Sequence, residues 1–405
     1  MIAGPISASA YDNWYGMIDK SDRWEQGFDR SAAREWEMNP PKGFPTLEKG
    51  NIPLMKEAIK RYAKIVSNGG WRTIPVSKTK YYVGIKRDQV ALIRRRLELT
   101  GDLKKSSSYS TVYDYYVEQA VKRFQIRHGL TPSGLVDKRT LSALNVPARI
   151  RLRQLRTNVA RMYGLVRKAA KSYVMVNIPA QQIEAVENGR IVSRHAAVVG
   201  KIDRQTPRLR SKIHQINFNP YWNVPQSIVA KDLVPKARAE AKKGRTDLLN
   251  RYRISAFDGN GRKVNPNKIN WSSSAVLNYR YRQDPWKDNS MGFVKINFHN
   301  AHAVYMHDTP SKSLFGRNLR ANSSGCIRVQ NVKQLVTWLL RENSDWSRAR
   351  VDDMQKNGKR LDVSAKSKTP VYFVYVTSWA TKDATVHFRR DLYKLDGVGA
   401  TAAKY

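Results

Sequence analysis

His307 and Cys326, the chain's single cysteine, stand nineteen residues apart and are the side chains best placed for covalent chemistry. His307 ends the apolar run 303–307, whose pattern predicts a strand, and a strand-ending side chain can leave the core and face a cleft. Cys326 lies in Ser323-Ser324-Gly325-Cys326-Ile327-Arg328. Gly325 lets a carbonyl approach the backbone closely, and the N–H groups of this turn can serve as oxyanion donors. A thiolate is the nucleophilic form of cysteine; an imidazole can take its proton, and the Arg328 cation favours the anion. If the segment is extended, Ser324, Cys326 and Arg328 share one face. Asn331 is placed to cap a helix carrying Val332, Leu335, Val336, Leu339 and Leu340, with its positive end near the thiol. One His–Cys pair is weak evidence in a chain with seven histidines; the whole string with its Gly, Ser and Arg is more specific.

The elements that must position this pair are strands. After Ser172 the apolar period shortens from helical to about two. Strands are expected at 173–178, 182–186, 191–199, 213–218, 292–298, 303–307 and 371–377, with Glu187-Asn188-Gly189 as a hairpin turn. Residues 226–290 or so are charged and loop-rich with one basic helix near 231–243. They suggest an insertion on the β core, of the kind that serves as a lid.

Upstream the pattern is helical. Pro53 starts a helix with Leu54, Ala58, Ile59, Tyr62, Ile65 and Val66 on its apolar side, and Gly69-Gly70 ends it. Three short helices follow, stripes of Val90, Ile93 and Leu97, then Tyr113, Val117, Ala120, Val121 and Phe124, then Thr140, Leu141 and Leu144. A further helix over 149–170 carries Arg149, Arg151, Arg153, Arg156 and Arg161 opposite its apolar side. That arginine face is either solvated or a contact surface for an anionic polymer.

Composition bounds the partners. The 405 residues carry a net charge of +40, which points to an anionic partner without naming it. One cysteine excludes an internal disulfide framework and a multi-cysteine metal site. No apolar run reaches the roughly 20 residues of a membrane-spanning helix. Ala8-Ser9-Ala10 has the small-x-small form of a signal-peptidase site, so the N-terminus reads as a trimmed export signal or a disordered end.

The string from His307-Asp308-Thr309-Pro310 through Leu314-Phe315 and Arg320-Ala321 to Ser323–Val329 resembles the L,D-transpeptidase (YkuD-type) catalytic family, in its large multidomain periplasmic branch. Arg204-Gln205-Thr206-Pro207, Asn219-Pro220-Tyr221-Trp222-Asn223-Val224-Pro225 and Gln283-Asp284-Pro285 resemble the same branch. Independently, Tyr113-Asp114, Ala120-Val121, Phe124-Gln125, His128-Gly129-Leu130, Gly134, Thr140 and Leu144-Asn145 look like the three-helix peptidoglycan-binding domain. The resemblance implies an α+β multidomain protein. Its expected parts are a helical scaffold (1–86), a peptidoglycan-binding bundle (87–147), a linker helix (148–171), a mostly β catalytic domain (172–390) with the lid-like insertion, and a tail (391–405).

It further implies Cys326 as the acylated nucleophile and His307 as its base, oriented through the backbone carbonyl of Asp308. Gly325 and Cys326 would supply oxyanion N–H groups, and Arg328 would bind a substrate carboxylate or fix the loop. Many smaller relatives carry His where Ser324 stands and Gly where Asp308 stands, so neither side chain inherits a catalytic role from the family pattern. Trp222, Tyr305 and Ser324 are expected along the donor-stem cleft, and Arg320 is expected to hold the catalytic loop. The implied reaction is acyl transfer from the third residue of a tetrapeptide stem with release of D-Ala, giving 3→3 cross-links when the acceptor is another stem. Water as acceptor would give a carboxypeptidase, and a protein N-terminus would give attachment of outer-membrane proteins. Peptidoglycan stems and glycan are the implied partners, the periplasm the implied location, and no metal or organic cofactor is implied.

Three other classes compete. A metallopeptidase would use His299, His302 and His307, but no nearby Glu supplies a base. A nucleic-acid binder would explain the charge, yet the basic residues are spread along the chain without a nucleic-acid fold motif. A non-catalytic wall-binding scaffold would leave Cys326 inert.

Overall fold

The structure, a computed structural model, describes residues 35–76, 80–106 and 110–397. The signal-like Ala8-Ser9-Ala10, most of the Trp-rich N-terminal stretch and residues 398–405 lie outside the described residues. Among the described residues no helix is long and apolar enough to cross a membrane.

Strands β1 (Ser172–Asn177), β2 (Gln182–Glu187) and β3 (Arg190–Gly200) form the expected antiparallel meander. The β2–β3 loop is the two-residue Asn188-Gly189, both at positive φ (50° and 74°), the primed turn whose twist matches the strands it joins. The other strands of the main sheet are β4 (Leu209–Phe218), β9 (Val294–Phe298), β10 (Met306–His307), β11 (Ala321–Ser323), β12 (Ile327–Val329), β13 (Leu361–Ser364) and β14 (Pro370–Val374). Their ladder runs β3-β12-β10-β9-β4-β14-β1-β2, and β2 pairs back onto β3, so the sheet closes on itself. The long strand β3 makes this possible by pairing with β2 along its first half and with β12 and β11 along its last residues.

Alternation along these strands fills two cores on opposite sides. Val174, Val176, Ile183, Ala197, Ile216, Ile296, Met306, Ile327 and Val329 point inward, where α7 (Val332–Leu339) adds Leu335, Val336 and Leu339. The other faces of β1 and β14 present Tyr173, Met175, Tyr372 and Val374 to α1 (Asn51–Ser67) and α5 (Ala148–Val166). The scaffold helices therefore share a core with the catalytic sheet and do not form a separate unit.

The small bundle consists of α2 (Asp88–Leu99), α3 (Tyr115–His128) and α4 (Lys138–Leu144), built on the predicted stripes. Asp114 and Asp137 cap α3 and α4 by accepting from Val117 N (3.0 Å) and Thr140 N (2.8 Å), and Gly129 ends α3 in the left-handed conformation. Ile74 and Tyr81 are fully buried in this core, which thus begins before residue 87. Arg127 forks onto Asp102 (2.5 and 2.6 Å) and donates to Val386 O (3.2 Å) in β16 (Val386–Phe388), joining bundle to catalytic domain. Both partners are buried, so Asp102→Ala leaves an uncompensated guanidinium and is expected to cost about 3–5 kcal/mol. Chemical denaturation checks this, and a loss under about 1 kcal/mol would show that the pair does not hold the bundle.

Arg149, Arg153 and Arg156 are exposed, as a solvated face requires, but two of the five arginines and the chain's end depart from expectation. Arg151 of the supposed solvated helix face is wholly buried, donating to Gln154 Oε1 (3.0 Å) and lying 4.6 Å from the Phe388 ring centroid. Arg161 is engaged by Asp396. The supposed tail is also partly core: Leu392 and Tyr393 are buried, and Tyr393 donates its hydroxyl to Gly200 O (2.7 Å).

The insertion is more ordered than its composition suggests. Strands β5 (Trp222–Asn223), β6 (Ile254–Phe257), β7 (Lys263–Val264) and β8 (Arg280–Gln283) pair in the order β5-β8-β6-β7. With α6 (Val234–Ala241) they enclose a separate core that includes Leu233, Leu249, Ala256, Val276 and Tyr281. Strands of two to four residues, interrupted by arginines, give too little alternation to be read from sequence.

Candidate active site

The site is assembled by strand register. β10 and β12 run parallel with His307 beside Arg328 and Met306 beside Ile327, and Ile327 N donates to Tyr305 O (3.0 Å). Since Met306 and Ile327 are in the core, Tyr305, His307, Cys326 and Arg328 emerge together on the other face. Nineteen residues of loop thus return the thiol to a strand next to the imidazole, as the sequence suggests. Tyr305 packs against the insertion's core with its ring centroid 5.8 Å from that of His307, so the insertion reaches the site through this side chain.

His307 is buried, and its Nδ1 lies 2.5 Å from Asp308 O. That carbonyl can only accept, so Nδ1 carries the proton and Nε2 keeps its lone pair. Burial first, and the Arg328 charge second, push the His307 pKa down to about 3, with Lys295 and Lys312 adding to the effect. The imidazole is neutral and able to accept a proton. The Asp308 carboxylate does no chemistry here: it accepts from Phe293 N (3.2 Å) and pairs with Lys312.

Gly292 makes room for that carboxylate. A Cβ at Gly292 would lie 2.5 Å from Asp308 Cβ and Cγ, and its φ of +59° disfavours a side chain as well. Gly292→Ala is expected to destabilise the fold by about 2–4 kcal/mol and to slow Cys326 alkylation by shifting the base. A thermal melt and a thiol-labelling rate matching wild type would refute this.

The thiol sits on a tight turn. Ser323 donates its hydroxyl to Cys326 O (2.5 Å) and accepts from Gly325 N (3.1 Å). Gly325 has φ +115°, a conformation L side chains rarely adopt, although a Cβ there would meet nothing nearer than 3.6 Å; the backbone, not crowding, demands glycine. Thr206 links the turn to β3, donating to Gly325 O (2.8 Å) and accepting from Gly200 N (2.9 Å). The half-buried Cys326 has its pKa raised by burial, against hydrogen bonds from Tyr305 and the charges of Lys295 and Arg328. Burial thus favours the neutral form of each group.

Several expected roles change. The Gly325 amide is engaged inside the turn by Ser323, so it is no oxyanion donor in this conformation. The Ser324 hydroxyl accepts from Arg204 Nη1 (2.9 Å), and Arg204 is itself paired with Asp232 of the insertion. Trp222 is buried in the insertion's core, only 2% exposed, and does not line an open cleft. Arg320 keeps its expected part, bracing the loop by donating to Ala197 O (3.3 Å), Arg317 O (2.7 Å) and Gln181 O (3.1 Å). Arg328 is buried beneath the pair, where its charge acts on both groups. Asn331 precedes α7 but makes no side-chain cap, and β12 separates that helix end from the thiol. His299 stacks on His214 (4.0 Å between centroids) and His302 is exposed on the following turn, so they do not converge on His307 as ligands.

Lys295 is the site residue that sequence reasoning missed. It pairs with His307 across β9–β10 and holds its Nζ 4.3 Å from the Tyr305 ring centroid. The alternation Val294-Lys295-Ile296-Asn297-Phe298 placed it on the polar face; only the register of β9 on β10 puts it beside the base.

Comparison with known proteins agrees with this geometry. A family model described as "L,D-transpeptidase catalytic domain" matches residues 171–373, and one described as "Putative peptidoglycan binding domain" matches residues 86–144. A Haemophilus influenzae protein described as "Putative L,D-transpeptidase" is 33% identical over 224 residues, covering 55% of this chain and 44% of that protein. The chain thus spans less than half the length of that relative. Among solved structures, an L,D-transpeptidase from Xylanimonas cellulosilytica aligns at 16% identity and TM-score 0.24, covering 74% of this chain and all of that one. One from Stackebrandtia nassauensis aligns at 13% and TM-score 0.28, covering 77% and all of its own chain. With the catalytic model matching half of its residues, the chain belongs to the L,D-transpeptidase catalytic domain family.

Proposed function

We propose that the protein is a peptidoglycan L,D-transpeptidase that forms 3→3 cross-links through a Cys326 thioester. The observation that supports this reading is the β10–β12 register, which returns Cys326 on its glycine turn to the strand beside that of His307, whose Nδ1 is held by Asp308 O. In acylation the Cys326 proton passes to His307 Nε2 as the sulfur bonds to the carbonyl carbon of the stem's third residue. The C–N bond to D-Ala then breaks, and His307 returns the proton to the departing amine. In the second half, the side-chain amine of another stem attacks the thioester, loses its proton to His307, and the thiol is restored. The Cys326 N–H, at the start of β12, is the proposed oxyanion donor, and Arg328 steadies the negative charge as it develops on sulfur.

The bundle is proposed to hold the enzyme on the wall polymer, which would place it outside the cytoplasm, in the periplasm. Part of the +40 charge attracts the carboxylates of stem peptides. Incubation with purified tetrapeptide stems, followed by chromatography and mass spectrometry, tests the reading. A dimer of one tetrapeptide and one tripeptide stem, lighter by one D-Ala, is the expected product. Tripeptide alone would make the enzyme a carboxypeptidase, and neither product would refute the function.

A further inference from the structure

Lys295 occupies the polar face of the sheet in a row set by register: His307 on one side of it, Asn217 on the other, and Asp362 beyond Asn217. It is half-buried, and no described acidic side chain forms an ion pair with it. The acid in its own row, Asp362, lies two strands away, roughly 10 Å at the usual strand spacing. That carboxylate is already occupied, accepting from Asn217 Nδ2 (2.8 Å) and pairing with Arg360 (3.2 Å). What does face the Lys295 ammonium is the Tyr305 ring, a weak partner compared with a carboxylate.

A partly desolvated ammonium without a counter-charge is costly to keep. Burial lowers the Lys295 pKa for this reason, while Cys326 and Asp362 act the other way. Here the ammonium lies beside the base and the nucleophile, on the surface where a donor must lie to be acylated. An anion arriving with the donor would remove the penalty and gain a charge-assisted hydrogen bond. Resting on the transpeptidase reading, we infer that Lys295 is a specificity-determining residue that receives a carboxylate of the donor stem. Two carboxylates of a stem have this chemistry: the second one of a diaminodicarboxylic third residue, and the free one of the preceding glutamate.

The test measures acylation of the full chain by intact-protein mass spectrometry over a range of stem concentrations. Wild type, Lys295→Met and Lys295→Arg are each compared with a stem bearing both carboxylates and with stems amidated at one or the other. For the unmodified stem, Lys295→Met is expected to raise the half-saturating concentration about 10- to 100-fold, as loss of a hydrogen bond to a charged group would. Its maximal rate should fall as well, because the lost charge favours the thiolate, and Lys295→Arg, which keeps that charge, should recover most of both the affinity and the rate. One amidated stem should bind wild type as weakly as the unmodified stem binds Lys295→Met, and should be indifferent to the substitution; that stem identifies the carboxylate. Iodoacetamide labelling of Cys326 should keep the wild-type pH dependence in Lys295→Arg and move to higher pH in Lys295→Met, because the charge lost there favours the thiolate; melting temperatures close to wild type show that both variants are folded. Equal losses with every stem would overturn the inference and leave Lys295 as an electrostatic modulator of the thiol alone. An unchanged half-saturating concentration would also overturn it while leaving the transpeptidase reading intact. Failure of wild type to be acylated by any stem would remove both.

Discussion

Cys326→Ala is expected to lower cross-link formation by at least about 10⁴-fold, the scale seen when a covalent nucleophile is removed. The thiol is the group that can form the acyl intermediate, and its neighbours are arranged around its reactivity. Ser323 and Thr206 hold the turn, Tyr305 donates to the sulfur, and Lys295 and Arg328 favour its anion. Alanine keeps the Cβ and leaves these hydrogen bonds of the turn in place, so the variant should retain the wild-type melting temperature. Turnover above about one per cent of wild type in a folded variant would place the nucleophile elsewhere, since the residual rate of such variants is far lower.

The second large effect concerns His307. Removing a positioned general base lowers rates by about 10²–10⁴-fold, and His307→Ala is expected in that range for acylation. The pH profile is the sharper reading. A base whose pKa is pushed down to about 3 by burial and by the Arg328 charge is neutral at every pH above that value. Falling pH therefore protonates and disables it only well below the ordinary imidazole range, so acylation should stay nearly flat between pH 5 and 7. Above neutrality the thiol, raised by burial, ionises later than a free cysteine, and iodoacetamide labelling should rise correspondingly late. An acid limb near pH 6.5 would show instead that His307 titrates in the ordinary imidazole range during acylation.

How far the sequence carries can be judged residue by residue. The helix stops at Gly69-Gly70 and Gly129, the Asn188-Gly189 hairpin and the inward alternation of the strands are local consequences of backbone freedom and burial, and they lie where the pattern puts them. His307 and Cys326 were legible because a motif of several residue types surrounds them. What escaped depends on contacts distant in sequence. Lys295 meets His307 only through the pairing of β9 with β10, and Arg151 is buried only because Gln154, Ala143 and Phe388 surround it. Trp222 reads as an aromatic beside the site, but the insertion folds around it. Ser324 was read along the donor-stem cleft and Gly325 as an oxyanion donor, yet Arg204 and Ser323 claim them. The burial of Leu392, Tyr393 and Asp396 follows from single anchors such as Tyr393 on Gly200 and Arg161 on Asp396, which leave no periodic trace.

The most direct test of the thioester is the mass of the intact protein after brief exposure to a tetrapeptide stem, wild type beside Cys326→Ala. A carbapenem, itself an acylating agent, serves as a parallel probe of the same thiol. The expected result is an adduct equal to the stem minus D-Ala on wild type, absent from the variant and released when an acceptor amine is added. Stem bound to both proteins without any covalent adduct would contradict the thioester mechanism and leave a wall-binding protein whose His307–Cys326 pair does no chemistry.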